Sequence, residues 1–165
     1  MKKKIIILIF VIMSAFMWVF TGCKNVKSPT APPAMPQLIS QGMPVAASDS
    51  LYSAAANAVD GNLSTDWGPS NNFPNWIYVD LGAVYNISEV IIYWWASPAT
   101  TFYVQSSPDA STWTSFITAA GPGNSAVSTF TGLSASGRYV RIYATDTDGA
   151  PGGISIYEFQ VYGLH

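Results

Sequence analysis

Charge, histidine and cysteine are scarce in this chain, and each shortage excludes a class of function. Only 10% of its 165 residues are charged. The basic ones are Lys2, Lys3, Lys4, Lys24, Lys27, Arg138 and Arg141, so the sequence beyond position 38 has two arginines and no lysine. All nine acids (Asp49, Asp60, Asp66, Asp80, Glu89, Asp109, Asp146, Asp148 and Glu158) lie in that stretch and give it a formal charge of −7. Such a segment cannot neutralise a phosphate backbone, which excludes nucleic acid as a partner. An anionic membrane surface would repel it for the same reason. One histidine, His165, and one cysteine, Cys23, leave no Ser–His or Cys–His nucleophile. They also exclude a zinc or copper ligand cluster and an internal disulfide. Catalysis could then rest only on a carboxylate pair, as in glycoside hydrolysis. Asp146 and Asp148 share a loop, but they flank Thr147 in a glycine-rich, turn-like segment, where ligand contact or loop hydrogen bonding is expected. The chain therefore does not read as an enzyme.

The first 22 residues read as an export signal. Met1-Lys2-Lys3-Lys4 is a positive n-region, and 5–20 is apolar apart from Ser14. That is short for a spanning helix, which needs ~20 residues, and suits a signal-peptide core. The end of the stretch, Phe20-Thr21-Gly22-Cys23, resembles the lipobox of bacterial lipoproteins, in which small residues precede a cysteine that is acylated. Phe20 departs from the leucine usual there. The resemblance implies lipidation of Cys23 and an extracytoplasmic, lipid-anchored protein of the bacterial cell envelope, touching the membrane through the anchor alone. Ordinary signal cleavage and a retained N-terminal anchor are the alternatives. Residues 23–38 carry four prolines and no hydrophobic periodicity, which predicts an extended tether or an unpaired tail.

Residues 39–165 form the expected domain, and it reads as all-β. Runs rich in Val, Ile, Tyr, Phe and Thr recur at 76–81, 88–95, 102–106, 112–117, 126–130, 138–143 and 155–162, separated by Gly, Pro, Asn, Asp and Ser clusters. Seven or eight strands at this spacing predict an antiparallel β-sandwich.

Four segments then carry a resemblance. They are 55–67 (AANAVDGNLSTDW), 76–82 (WIYVDLG), 138–142 (RYVRI) and 155–163 (SIYEFQVYG). In this order they resemble the discoidin-like, coagulation-factor type C domains and the bacterial galactose-binding-like carbohydrate-binding modules that share their fold. Asp109 and Trp113 sit where that family has a "DG…W" hairpin, with Ala110 in place of glycine. The resemblance implies a jelly-roll-like sandwich of about eight strands.

The 60–65 loop, DGNLST, is by its own composition suited to a hard cation: a carboxylate, a flexible glycine, a polar side chain and a hydroxyl lie within a few positions. The resemblance implies a structural Ca2+ held by Asn57, Asp60, Asn62 and Thr65, joined by Tyr157 through its carbonyl and by Glu158. The alternative is that Asp60 caps its turn and Glu158 pairs with an arginine.

Recognition falls to aromatic residues, because sugar C–H faces stack on rings while hydroxyls seek a few polar side chains. Trp67, Trp76 and Trp113 lie in family core motifs and are expected to pack. Alternation along a strand sends Trp94 and Trp95 to opposite faces, so one must leave the interior. Trp95, last in its strand, is the expected stacking platform, with a packing role on the second face as the alternative. Asn71, Asn72 and Phe73 from 68–75, Asp146 and Asp148 from 146–153, and Tyr52 from the first loop complete the expected site at one end of the sandwich. Galactose-binding relatives often use a histidine and an arginine at the sugar; no histidine is available, and Arg138 and Arg141 read as strand residues. The function expected is non-catalytic glycan or glycoconjugate binding by a tethered module, which would hold the cell or a partner enzyme against glycan. The alternative is a protein-interaction or structural module docking on an envelope protein.

Overall fold

The computed structural model describes residues 33–95, 98–122, 127–147 and 154–165. They fall in one compact unit, Pro33–His165. Cys23, most of the tether and Asp148 lie outside the described residues.

Among the described residues seven strands follow one another: β1 (Gln37–Leu38), β2 (Val45–Ala47), β3 (Asn75–Trp94), β4 (Ala99–Ser107), β5 (Thr114–Ala119), β6 (Val127–Thr147) and β7 (Ile156–Leu164). A 3-10 turn, Ala55–Val59, lies between β2 and β3. Every pairing is antiparallel, in the order β1-β7-β3-β6-β4-β5, with β2 also on β3. Gln37 and Leu38 pair with Gly163 and Tyr162, so the sheet begins two residues before the boundary read from the proline-rich composition. Strand pairing there outweighs the tail-like sequence around it.

The long strands make the sandwich. β3 and β6 are 20 and 21 residues long, and each contains two of the runs legible in the sequence. They stay paired as one ribbon, first Asn75–Asp80 against Tyr139–Ala144, then Tyr85–Tyr93 against Gly137–Val127. The register breaks between Asp80 and Tyr85, where Gly82 adopts φ 78, a conformation glycine takes without a Cβ clash. Breaks of this kind bend a ribbon sharply. In the first half β2, β4 and β5 extend the sheet; in the second half β7 and β1 do.

Alternation sorts the side chains. Ile77, Val79 and Leu81 point inward from the first half of β3, and Val90, Ile92 and Trp94 from the second. Val140, Ile142, Phe102, Val104, Phe159 and Val161 close the core between them. The Trp94 and Phe102 rings meet edge-on at 5.2 Å across the sandwich. Phe102 is the register partner of Ala144, which in turn faces Asn75. The start and end of β3 therefore lie at the same end of the molecule.

Candidate functional site

Two clusters stand out, and the sequence pointed to both. The first surrounds the DGNLST loop. The 3-10 turn buries Ala58 and Val59 and delivers Asp60 to the surface. Asp60 Oδ1 accepts the Asn62 N–H at 2.8 Å, and its Oδ2 accepts the Thr65 hydroxyl at 2.7 Å. Asn62 Oδ1 accepts the Ser64 N–H at 3.0 Å. Gly61, at φ 80, turns the backbone so that successive N–H groups face inward. Glu158 Oε1, from β7, receives them: Gly61 N–H at 2.7 Å and Asn62 N–H at 3.2 Å. Glu158 therefore pairs with this loop and with no arginine, while Asp60 does cap its turn. The loop is pinned to a strand 97 residues away.

The charges in this cluster are frustrated. Glu158 is 2% exposed. Burial, and the neighbouring Asp60 carboxyl with which it shares a hydrogen bond, push its pKa up against the pull of the two N–H groups. Burial acts the same way on Asp60, yet the Thr65 hydroxyl, the Asn62 N–H and Glu158 hold that group below the usual carboxylate range. Two adjacent carboxyl groups in a partly dry place need either a shared proton or a cation. Beside the N–H groups, the side chains around them that could ligate a metal, those of Asn62 and Thr65, offer oxygen, the chemistry that suits Ca2+. Among the described residues no three His, Cys, Asp or Glu side chains converge, so a cation here would draw its remaining ligands from neutral oxygens. Asn57 lies beside the cluster and donates Nδ2–H to the Asp66 carbonyl at 2.9 Å. Tyr157 is half-buried next to Glu158.

The second cluster is the rim where β3 starts and ends. A chain of backbone hydrogen bonds assembles it. The Tyr52 N–H donates to the Gly68 carbonyl at 2.9 Å, Trp67 and Ile156 exchange bonds of 2.8 and 3.0 Å, and the Trp95 N–H donates to the Ser155 carbonyl at 3.0 Å. Asp49, which the sequence reading passed over, locks two loops together. Its Oδ1 accepts the Ser70 N–H at 2.6 Å and its Oδ2 accepts the Ser70 hydroxyl at 2.6 Å, while its carbonyl accepts the Trp67 Nε1–H at 2.9 Å. Burial would raise the Asp49 carboxyl, but these bonds hold its pKa down. The only sequence signal for this role is the Asp49-Ser50-Leu51 spacing, which lets the carboxylate also accept the Leu51 N–H.

On this frame Trp94 is fully buried and Trp95 is 52% exposed. Tyr52 is 67% exposed, and Asn71 and Asn72 are exposed. Register brings Asp146 to the same end, opposite Thr101 in β4, with its side chain exposed. Phe73 differs from expectation, because it is half-buried and packs against the core. Neither arginine reaches the rim. Arg138 clasps Asp80 through Nε and Nη2 at 2.7 and 2.8 Å. Arg141 donates to Gln105 Oε1 and lies 4.0 Å over the Trp113 ring. Trp67 is a core residue, whereas Trp76 and Trp113 pack half-buried on the outer sheet face. The alternation Trp76-Ile77-Tyr78-Val79 holds that information: with Ile77 and Val79 inward, Trp76 and Tyr78 must face out.

Residues 43–159 match the F5/8 type C domain profile. The search of curated proteins finds no match. Among solved structures, chitosan-binding module 2 of a Paenibacillus sp. IK-5 chitosanase/glucanase, in complex with chitotriose, is 31% identical with a TM-score of 0.70, over 76% of this chain and 99% of that one. Module 1 of the same enzyme is 30% identical with a TM-score of 0.71, over 77% of this chain and 99% of that one. The family 32 carbohydrate-binding module of C. perfringens NanJ, in complex with galactose, shares the fold at 24% identity and a TM-score of 0.67, over 78% and 99% of the two chains.

Proposed function

We propose, from the premise that the chain belongs to the F5/8 type C domain family, that it is a non-catalytic glycan-binding module with its binding site on the Tyr52–Trp95 rim. The observation that carries this reading is Trp95, a large indole left 52% exposed one residue after a fully buried one. Trp95 offers a stacking face. Tyr52 offers a second ring, and Asn71, Asn72 and Asp146 offer hydrogen-bonding groups to sugar hydroxyls.

The rim's charge favours glycans that carry amino groups. Asp49 and Asp66 lie in its loops, Asp146 lies at the end of β6, and both arginines are engaged elsewhere, so the local field is negative. The two chitosan-binding modules about 30% identical to this chain support the same preference. At the other cluster, Asp60, Asn62, Thr65 and Glu158 would hold Ca2+ with help from Asn57 and the Tyr157 carbonyl. The ion would tie the loop to β7 and take no part in sugar contact. Cys23, with the signal before it and the proline-rich stretch after it, supports a lipid anchor that would hold the module outside the cytoplasmic membrane, in the envelope.

A glycan array probed with the full chain, with Ca2+ and with chelator, tests the reading. Selective binding to amino-sugar glycans, lost in Trp95→Ala, is the expected result. Silence across the array from a folded sample would overturn it and leave an envelope protein as the partner.

A further inference from the structure

The outer face of the first half-sheet carries an aromatic row that the rim does not use. Alternation sends Trp76, Tyr78 and Asp80 outward from β3, and register sets Tyr139 opposite Asp80 on β6. On the other side Tyr78 faces Ala46 of β2, a side chain too short to cover it. The space left over is a hollow of about 200 Å3 bounded by Pro44, Ala46, Tyr78, Asp80, Ala110 and Tyr139. Tyr78 and Tyr139 meet at 87° with centroids 5.7 Å apart, so the hollow has an aromatic corner with one ring face and one ring edge.

One side of the hollow is polar. The Asp80 carboxylate is held in place by the Arg138 fork and by the Gly82 N–H at 2.9 Å. The Arg138 side chain, 42% exposed, does not line the hollow, and its charge is paired with Asp80. Ala110 bounds the hollow from the β4–β5 turn at φ 59, a conformation that favours glycine; here a methyl group is kept and lines the cavity. The row does not stop at the hollow. The Tyr78 ring runs parallel to that of Trp76, at 5.8 Å and 4°. Trp76 is the second residue of β3, directly after the loop that carries Asn71 and Asn72 on the rim.

We infer that the outer sheet face is an extended glycan track, running from the rim past Trp76 and Tyr78 into the Tyr78–Tyr139–Asp80 hollow, where a single sugar residue of a longer chain is seated. The hollow is below the ~300–1,000 Å3 of drug-sized sites, a size that suits one ring. Its lining pairs stacking surface with a carboxylate acceptor, which is how a pyranose is recognised and an apolar peptide side chain is not. The inference rests on the glycan-binding reading of the rim and extends the same polymer onto the sheet.

The test compares two-unit and six-unit chitosan oligosaccharides by titration calorimetry on the full chain. The hexamer is expected to bind more tightly than the dimer. Tyr78→Ser should weaken the hexamer about fivefold to tenfold, the value of one lost stacking contact, and leave the dimer unchanged. Trp95→Ala should weaken both. Ala46→Leu fills the hollow from β2 without removing a ring and should act like Tyr78→Ser, so the track stays testable if the tyrosine variant misfolds. Equal affinity of wild type and both sheet variants for the hexamer, with dimer binding intact, would overturn the track and spare the rim. Absence of binding by either sugar would overturn both.

Discussion

Adjacent tryptophans with opposite fates show how much a single strand position decides. Trp94 is the last inward residue of β3; its indole N–H donates to the Ser128 hydroxyl at 3.0 Å and its ring meets Phe102. Trp94→Ala should cost about 3–5 kcal/mol, as large-to-small changes in packed cores do, measured by urea unfolding. Trp95→Ala should change stability by no more than about 0.5 kcal/mol while weakening sugar binding. Glu158 gives a pH prediction of definite sign. Its pKa is raised in the folded chain above the ordinary value of 4.5, so without metal its contribution is full below that value and is lost as pH rises through the folded pKa. Calcium needs the deprotonated form. The gain in melting temperature on adding Ca2+ should therefore grow as pH rises from 4.5 toward neutrality. Glu158→Gln keeps an acceptor for the Gly61 and Asn62 N–H groups yet should remove most of that gain. A calcium effect that is flat with pH, or unchanged in the variant, would show that this cluster is not the site.

At the scale of elements, the folded ribbon of β3 and β6 is the device on which both clusters depend. It places the two ends of β3 together at the rim and returns β7 to the 60–65 loop. Its bend needs Gly82 at φ 78, so Gly82→Ala should destabilise the chain by about 1–2 kcal/mol, seen as a lower urea midpoint with the slope unchanged. The separate runs 76–81 and 88–95 were legible because alternating Val, Ile and aromatic residues mark strands whatever their surroundings. Their union into one strand was not, because it depends on long-range pairing to β6 and on a turn of the register at Asp80. The faces were legible in part. Trp94 and Trp95 separate by simple alternation, and the same rule applied to Trp76 and Tyr78 places them outside. Trp76 and Trp113, expected to pack, do so half-buried on the outer face, Trp76 beside the Tyr78 ring and Trp113 under Arg141. The half-burial of Phe73 was not legible, since a loop residue can still reach back to the interior.

At the scale of the whole molecule, charge and position fit one account. Nine acids and two arginines beyond position 38, with both arginines spent on the sheet, leave a negative field over the loops. Binding to a chitosan oligosaccharide should therefore weaken with added salt, whereas binding to a neutral galactoside would change little. Stacking of the glycan on Trp95 is read out by the indole N–H resonances of the full chain during titration with chitotriose. The Trp95 signal should move in proportion to saturation while those of the buried Trp67 and Trp94 stay in place. A titration that leaves the Trp95 signal fixed at a sugar concentration where calorimetry records binding would contradict the account.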